Sequence, residues 1–390
     1  MIDGSAIYPT HKFTLEQRLA LEAVRSDSSD AKLRELATSD VEWDALRQTA
    51  IWQGVLPLVY SRLKAAAGDL VPVSTLAELR SLYIANAQRN YRLTRKLLKA
   101  LAALASRGIE AVPFKGPALA VQAYGDVTLR SFSDLDLLIC HKDLSATRDL
   151  LAGLGYHPEP EMDSPDGQRL LISDNEYTFS DGDASLDVHW NITEKFLAFR
   201  LEPQLLWDGL DSCLLMDKPV RVLSPENTLL MLCINGVREE WRTLKPTLDV
   251  SHLCSAHPGL DYSLVLERAQ SLGACRIVAL GLRLAEELAG LSLPDSVHTW
   301  VGAEPGVAPL VKEVFKYLFS ESQGHATFAA FYRRSRERLL DRIVFSLTPN
   351  PKDWSAVTLP TRLRFLYYAV RPLRLMAEFC QSGFRWPRTG

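Results

Sequence analysis

The chain has 390 residues, of which 47% are hydrophobic and 23% charged, and its formal net charge is −3. This composition is that of a globular protein with a sizeable core, and a prior of roughly 150 residues per domain predicts two or three domains. No stretch reaches about 18 uninterrupted apolar residues, and the first twenty residues lack a basic start followed by an apolar run, so we expect neither a transmembrane nor a secreted protein.

The six cysteines are spread too widely to form a local metal or redox motif. None lies within a few residues of another, since they occupy positions 140, 213, 233, 254, 275 and 380. This spacing excludes a zinc knuckle and a Cys-x-x-Cys redox site, and most of the cysteines stand in apolar runs. We therefore expect reduced core cysteines and a cytoplasmic location.

Residues 1–109 are predicted to form an N-terminal helical region. Helix formers with apolar spacing cover Thr14 to Val24, and Trp43 to about Leu63 continues as one or two helices. The longest candidate runs from Arg80 to Ser106, and its apolar stripe consists of Leu93, Leu97, Leu101 and Leu104. Its basic side chains are expected to form a solvated face or, alternatively, to lie over a bound nucleotide; they are Arg89, Arg92, Arg95, Lys96 and Lys99.

An α/β core is predicted over residues 110–224, and it begins with a strand, a turn and a helix. Ala111 to Phe114 is the apolar strand, Lys115 and Gly116 make the turn, and Pro117 suits the first position of a helix that runs to about Tyr124. The start of a helix offers free N–H groups and the positive end of a dipole, to which the lysine adds a charge. We therefore predict that this turn binds phosphate.

Two aspartates on the next strand form the candidate metal site. A strand over Ser133 to Ile139 puts Asp134 and Asp136 on one face and the intervening leucines on the other. Two carboxylates this close raise each other's pKa unless a cation accompanies them, and hard oxygen ligands suit Mg²⁺. The second Asp-x-Asp of the chain, at positions 181–183, is expected to be a hairpin turn instead.

The rest of the core is predicted as one helix and two strands. The helix covers Leu144 to Leu154, and the strands cover Glu176 to Phe179 and Ser185 to Asn191. On the second strand Asp187 and His189 share a face. A metal site needs a third carboxylate on a neighbouring strand, so we predict Asp187 as a ligand. His189 is expected either to orient an acceptor hydroxyl or a phosphate, or to be a hydrogen-bonded structural histidine.

Residues 225–390 are predicted to form a C-terminal helical region with a basic tail. From Phe331 to Gly390 there are twelve basic and four acidic residues, a net charge of +8 (12 − 4). A last helix around Leu363 to Leu373 should kink or end near Arg371, because Pro372 lies inside its pattern. The helix is expected to pack on the core with its arginines toward solvent or substrate phosphate; they are Arg364, Arg371 and Arg374. The alternative is a helix that lies on a membrane surface.

The motifs of the core resemble an uncharacterised bacterial nucleotidyltransferase family within the DNA polymerase β-like superfamily. The residues that carry the resemblance are Lys115-Gly116, Tyr124, Arg130, the segment Ser133 to Ile139 and the segment Asp187 to Trp190. Weaker similarity, including Trp241 to Asp249, extends it from about residue 40 to residue 380. The resemblance implies an α+β fold, with a small mixed β-sheet nucleotidyltransferase core flanked by N- and C-terminal helical regions.

One feature of the chain departs from the superfamily pattern. Relatives carry Gly-Gly or Gly-Ser about ten residues before the aspartate pair. This chain has Gly116-Pro117 instead, and 17 residues separate Gly116 from Asp134 (134 − 116 − 1).

The resemblance also implies a reaction, namely transfer of a nucleoside monophosphate from an NTP, with ATP expected, to an acceptor hydroxyl. Two Mg²⁺ ions would be held by Asp134, Asp136 and Asp187. Asp187 would also take the hydroxyl proton. The residues expected to bind the nucleotide are Lys115, Gly116, Arg130 and His189.

Other readings stay open at this point. The altered turn fits a nucleotide-binding or scaffold protein that has lost catalysis, and the basic tail fits a toxin that nucleotidylates tRNA. The acceptor could equally be a small molecule, sugar, peptide or protein, since a fold does not choose among them. A polymerase is not expected because a basic, aromatic-interleaved duplex channel is missing. A kinase is not expected because neither phosphate-loop signature is present.

Overall fold

The computed structural model describes residues 13–193, 197, 199, 201–319, 328–357, 359 and 361–381. The helices before the first strand are α1 (Leu15–Val24), α2 (Asp30–Ala37), α3 (Trp43–Trp52), α4 (Leu56–Ala67) and α5 (Val73–Ala105). The elements of the middle part are β1 (Ala111–Pro113), α6 (Gly116–Tyr124), β2 (Asp134–Ile139), α7 (Leu144–Gly153), β3 (His157–Glu159), α8 (Pro165–Ser173), β4 (Glu176–Ser180), β5 (Ser185–His189), α9 (Pro203–Trp207), β6 (Asp211–Leu215) and β7 (Lys218–Val222). The later helices are α10 (Pro225–Arg238), α11 (Leu244–Ala256), α12 (Tyr262–Leu272), α13 (Cys275–Ala289), α14 (Asp295–Ala303), α15 (Val307–Tyr317), α16 (Phe328–Ser335), α17 (Leu339–Leu347), α18 (Pro351–Ala356) and α19 (Tyr367–Gln381).

Five of the strands form a mixed sheet in the order β1-β2-β5-β4-β3. The central pair, β2 and β5, is parallel, and the other neighbours are antiparallel. Strands β6 and β7 make a separate hairpin. This is the predicted α+β fold, a small mixed sheet with helices before and after it, and the prediction is confirmed.

The two faces of the five-stranded sheet differ in polarity. One face is apolar, because Leu135, Leu137 and Ile139 of β2 share a buried cluster with residues of α5 that include Leu93 and Leu97. Strand alternation sends Asp134 and Asp136 to the opposite face. The packing of α5 thus leaves the aspartate face free for a site.

The basic residues of α5 largely form the expected solvated face, since Arg89, Arg92, Arg95 and Lys99 are exposed. Two basic residues of this helix also make ion pairs. Lys96 and Arg92 form ion pairs with the turn between β4 and β5, through Asp181 and Asp183. The Asp181 side chain accepts backbone N–H groups of the same turn. The predicted turn at positions 181–183 is therefore present, and α5 is tied to it.

The N-terminal and C-terminal helices share one hydrophobic core. Buried residues of α1 to α4, such as Leu19 and Val59, belong to the same cluster as Leu230 of α10 and Leu280 of α13. Backbone and side-chain hydrogen bonds also cross between them, for example from Ser26 to the Ala289 carbonyl oxygen. The predicted boundaries at 109/110 and 224/225 stay a proposal, and they divide the chain by sequence position. In space, helices from the two flanking regions pack together around one core.

The last helix differs from its prediction in the burial of Arg371. At Pro372 the prediction is a kink or an end, and helix α19 continues through this proline rather than ending there. Arg371 is buried rather than facing solvent or phosphate, because it pairs with Asp353, as does Arg374. The direction of the Arg371 side chain is determined by the buried carboxylate of Asp353 on α18. The apolar periodicity of α19 does not reveal this partner. The side chain of Arg364 and residues 382–390 lie outside the described part of the chain.

Within the described residues, no helix is both long enough and apolar enough to cross a membrane.

Candidate active site

The predicted carboxylates lie on neighbouring strands and on the same face of the sheet. Asp136 of β2 stands directly opposite Asp187 of β5 in the parallel register, and Asp134 is opposite Ser185. On the far side of β5, Thr178 faces Asp187 and Glu176 faces His189. The alternation of short strands therefore brings together polar side chains that are 51 positions apart in the sequence (187 − 136).

Asp136 is a buried carboxylate held between two basic groups. Its Oδ1 lies 3.3 Å from Lys115 Nζ and 3.3 Å from His189 Nε2. Burial by itself raises the pKa of Asp136, but the Lys115 ammonium and the neighbouring His189 ring outweigh it and hold that pKa well below its ordinary value. Asp136 is therefore ionised, and in this conformation a lysine is its cation.

His189 bridges two carboxylates across the sheet. Its Nδ1 lies 3.1 Å from Glu176 Oε2, and its ring packs edge-on against Phe114 with centroids 4.9 Å apart. These contacts fix the ring beside Asp136. The geometry fits a histidine that positions the Asp136 carboxylate, a role between the two that are expected from the sequence.

Asp187 has a different environment from Asp136. Its Oδ1 accepts a hydrogen bond of 2.7 Å from the Thr178 hydroxyl. Burial raises the pKa of Asp187, the Thr178 hydrogen bond opposes that rise, and the nearby Asp136 charge adds to it. Of the two facing carboxylates, Asp187 is thus the more basic.

The turn before α6 brings a backbone segment close to the aspartate strand. Gly116 has φ +51°, and a Cβ there would lie 3.2 Å from the Asp134 backbone oxygen. A side chain at this position would be both strained and crowded, which explains the glycine. Pro117 removes one of the free N–H groups at the helix start, so Lys115 is the main source of positive charge at this turn.

Arg130 is paired with a residue of the C-terminal helices. Its Nε and Nη2 donate to the two carboxylate oxygens of Asp249 on α11 at 2.8 and 2.9 Å, and Tyr124 also donates to Asp249. Burial opposes the charge on Arg130, but Asp249 outweighs it and raises the pKa of the guanidinium. Asn90 of α5 holds the same loop by donating to the Arg130 carbonyl oxygen. The role of Arg130 as a phosphate ligand stays a prediction, since its guanidinium is bound to Asp249 here.

One pocket joins the sheet to helices α10 and α11. From the core it is lined by Lys115, Gly116, Arg130, Asp134 and Asp136. From the helices it is lined by Leu232, Asn235, Arg238, Glu239, Lys245, Pro246 and Asp249. Five of the seven predicted site residues therefore meet in one cleft, whereas Asp187 and His189 are not among its lining residues.

Lys245 is a site residue that the sequence did not single out. No hydrogen bond or ion pair of its ammonium is found among the described residues, and its stem packs against Gly54, where a Cβ would lie 3.1 Å from Lys245 Cδ. Burial and the Arg130 charge lower the pKa of Lys245. The only signal in the sequence was the family-like segment from Trp241 to Asp249, which carries both Lys245 and the partner of Arg130.

The carboxylates suit a divalent cation by chemistry but are not assembled around one. Among the side chains that the structure describes, no three His, Cys, Asp or Glu residues converge closely enough to hold a metal ion. Asp134, Asp136 and Asp187 nevertheless supply hard oxygen donors from one sheet face. Lys115 already supplies a positive charge at Asp136, which indicates that the place favours a cation.

Comparisons with known proteins bear on this site. Residues 39–290 match the family described as "Uncharacterised nucleotidyltransferase", which is more than half of the chain. No curated protein matches. Among solved structures, the antibiotic-resistance factor ANT(2'')-Ia is 20% identical, with a TM-score of 0.34, over 49% of this chain and 96% of that one. An antigenic nucleotidyltransferase-like protein from Paracoccidioides brasiliensis is 17% identical, with a TM-score of 0.33, over 55% of this chain and 98% of that one.

Proposed function

The chain belongs to the family of uncharacterised nucleotidyltransferases, and we propose that it moves a nucleoside monophosphate from an NTP, with ATP expected, to a hydroxyl group of an acceptor. One observation carries the proposal. Asp134 and Asp136 line a single pocket with two lysines, Lys115 and Lys245, while Asp187 stands opposite Asp136 on the next strand. Carboxylates for a cation and ammonium groups for a polyphosphate are what nucleotidyl transfer requires.

In the proposed reaction the acceptor hydroxyl oxygen forms a bond to the α-phosphorus of the NTP. The bond from that phosphorus to the oxygen bridging the β-phosphate breaks, and pyrophosphate leaves with the electron pair. The hydroxyl proton passes to the Asp187 carboxylate. Because burial raises the pKa of Asp187, it is a better base than Asp136, and its hydrogen bond from Thr178 holds it in orientation.

Asp134, Asp136 and Asp187 are the residues that would hold Mg²⁺, two ions being expected, which when bound neutralises phosphate charge and orients the reacting oxygens. His189 positions Asp136 through its Nε2 atom, while its Nδ1 atom contacts Glu176. Lys115 from the strand–helix turn and Lys245 from α11 bind the phosphates, and Gly116 at the start of α6 lines the same pocket. Arg130 adds positive charge to the pocket while it remains paired with Asp249.

The acceptor is proposed to be a small molecule, a sugar, a peptide or a protein. The charged residues of the pocket support recognition of a polyphosphate, and a labelling experiment would identify the acceptor. We would incubate the purified protein with each NTP labelled at the α-phosphate, Mg²⁺ and an extract of the producing cells. Label that reaches a new species identifies that species as the acceptor, and a labelled tRNA would favour the toxin-like alternative.

The test of catalysis compares two aspartate pairs of the same chain. The Asp134→Asn/Asp136→Asn variant is expected to transfer no label. The matched control is Asp181→Asn/Asp183→Asn in the β4–β5 turn, where the amide oxygens still accept the turn's N–H groups, and it should retain transfer. Transfer that survives in the first variant would overturn the proposal. Metal-dependent NTP binding without any transfer, abolished by the first variant, would favour the non-catalytic nucleotide-binding alternative.

A further inference from the structure

Helix α17 turns its apolar face toward solvent. The large aliphatic residues Leu339, Leu340, Ile343, Val344 and Leu347 are between 36% and 69% exposed. At about 100° per residue these positions form one continuous stripe. Phe345, on the opposite side, is buried and packs against Tyr332 with ring centroids 4.4 Å apart. A helix of this kind ordinarily buries such a stripe, so this face has the character of a docking surface.

The segment that follows α17 in sequence also exposes large apolar side chains. Six more large apolar side chains between 37% and 66% exposed occur there, namely Leu363, Phe365, Leu366, Tyr368, Leu373 and Met376. Val357, which is 44% exposed, lies between the two groups in sequence. Twelve of the nineteen exposed large apolar side chains in the described part of the chain therefore fall within residues 339–376. We call these twelve residues the C-terminal apolar surface.

Polar contacts keep the C-terminal apolar surface from turning inward. Arg371 of α19 donates to the backbone oxygens of Ser346 and Phe345 at the end of α17, at 2.8 and 3.0 Å. It also pairs with the buried Asp353 of α18. Rotating either helix to bury its aliphatic side chains would break these buried charged contacts, so the apolar side stays available to a partner.

The net charge of residues 331–390 helps to distinguish between a second copy of the chain, a nucleic acid and a lipid surface as the partner. Residues 331–390 carry a net charge of +8 (12 − 4). The acidic residues at 337, 341 and 353 are engaged in internal contacts, and Arg336 and Arg371 are paired with two of them. Arg333, Arg338 and Lys352 are exposed, although Arg338 also donates to the Ser271 carbonyl oxygen. A second copy of the chain would bring two such positive segments together, which repel each other. A nucleic acid would use the charge but would leave the aliphatic stripe in water.

We propose that the C-terminal apolar surface binds the surface of an anionic lipid bilayer. Aliphatic side chains enter the boundary between headgroups and acyl chains, and the surrounding arginines and lysines contact anionic headgroups. Binding of this kind lies in the plane of the membrane and needs no spanning helix. It would place the nucleotidyl-transfer site near a membrane, and it does not depend on the proposed reaction.

The experiment is sedimentation of the full chain with vesicles. Vesicles of phosphatidylcholine mixed with phosphatidylglycerol are expected to pellet the protein, vesicles of phosphatidylcholine alone should pellet far less, and added salt should weaken binding. Leu340→Gln/Ile343→Gln keeps the net charge and removes apolar surface, so it should reduce binding to the anionic vesicles by about tenfold or more. Both residues are exposed, so the variant is expected to fold, which circular dichroism checks.

Leu214→Gln on β6 is the matched control, because Leu214 is 62% exposed but lies outside the C-terminal apolar surface. It should bind anionic vesicles like the wild type. An equal loss in this control would overturn the proposal, as would a wild-type chain that binds neither kind of vesicle. Two other results would also overturn the proposal and would identify a different partner. A dimer in light scattering that Leu340→Gln/Ile343→Gln dissociates would indicate a second copy of the chain. Binding to RNA without binding to vesicles would indicate a nucleic acid.

Discussion

At the scale of single residues, the candidate site is a balance between buried charges. Asp136 is matched by Lys115 and His189, and Arg130 by Asp249. Lys245 is the exception, since its ammonium has no such partner among the described residues although it lines the same pocket. A desolvated cation without a partner is a good ligand for phosphate. The protein has already removed water from the ammonium on folding, so less free energy is needed to desolvate it when the substrate binds.

We expect Lys245→Met to weaken NTP binding while the protein stays folded. Methionine keeps the stem that packs against Gly54 and removes only the charge. A lost hydrogen bond to a charged group is worth about 1.5–3 kcal/mol, so the dissociation constant should rise on the order of 10- to 100-fold. Calorimetric titration of the metal-loaded protein with NTP measures this. The exposed Lys218→Met on β7 is the control and should bind as the wild type does.

The pH dependence of binding provides a second readout for Lys245. Since its pKa is lowered by burial and by Arg130, it loses its charge at a lower pH than an ordinary lysine as the pH rises. The alkaline loss of NTP affinity should therefore begin early in the wild type. Lys245→Arg should move that loss to higher pH, because a guanidinium stays protonated. An unchanged pH profile in Lys245→Arg would show that another group controls the affinity.

The buried Arg130–Asp249 pair should be important for stability. Asp249→Asn leaves the guanidinium of Arg130 buried without its counter-charge, a change that costs about 3–5 kcal/mol. Denaturant unfolding measures the loss. Glu110→Gln breaks the exposed Arg221–Glu110 pair, in which the side chains are 59% and 48% exposed, and should cost less than about 1 kcal/mol. Similar losses in the two variants would contradict the buried pairing.

At the scale of elements, the start of α6 and the edge of β2 must approach each other closely. The turn at Gly116 allows this, and it also places Lys115 above Asp136. The loop between α6 and β2 is in turn held by α5, because Asn86 donates to the Thr128 carbonyl oxygen and Asn90 to that of Arg130. The turn before α6 and the aspartate strand thus belong to separate elements that meet at Gly116.

Gly116→Ala should reduce the rate of nucleotidyl transfer much more than Gly125→Ala does, while both variants stay folded. A left-handed conformation costs a non-glycine residue about 1–2 kcal/mol, and the new Cβ would also press on the Asp134 backbone oxygen at 3.2 Å. Gly125→Ala at the other end of α6 is matched in strain, with φ +71° and no atom near its Cβ. Thermal unfolding should show the cost of the left-handed conformation in both variants, with any further loss in Gly116→Ala due to the contact with Asp134, and transfer activity should fall mainly in Gly116→Ala.

At the scale of the whole molecule, residues at the end of α3 contribute to the site from outside the sheet. Gln53, at the end of α3, is fully buried; its side chain accepts from the Leu244 backbone N–H at 2.7 Å and donates to the Leu318 carbonyl oxygen at 2.6 Å. The next residue, Gly54, packs on the stem of Lys245. Two residues from the first fifth of the chain therefore fix where α11 begins and where its lysine lies.

Gln53→Leu should destabilise the protein and disturb the pocket together. It leaves a buried N–H of Leu244 and a buried carbonyl of Leu318 without partners, at about 1–3 kcal/mol for each group. Denaturant unfolding should show the loss, and NTP affinity should fall as the start of α11 shifts. Gln204→Leu on the exposed side of α9 should change neither measurement.

The sequence alone determined the class of fold and the positions of the central carboxylates. Two-residue alternation put Asp134 with Asp136 and Asp187 with His189, and the glycine turn and proline located the start of α6, because local backbone geometry determines such patterns. The predicted roles of these residues in metal and phosphate binding remain to be tested by the experiments above.

Only the tertiary structure decided what surrounds those residues. Asp249 reaches Arg130 across 119 positions, and Gln53 reaches Leu244 across 191, so no local pattern could pair them. The orientation of α19 likewise depends on Asp353, a carboxylate of another helix, which draws Arg371 inward and leaves apolar side chains in solvent. Burial of a charge requires a specific partner in space, and the partner is determined by packing of the whole chain rather than by the period of one helix.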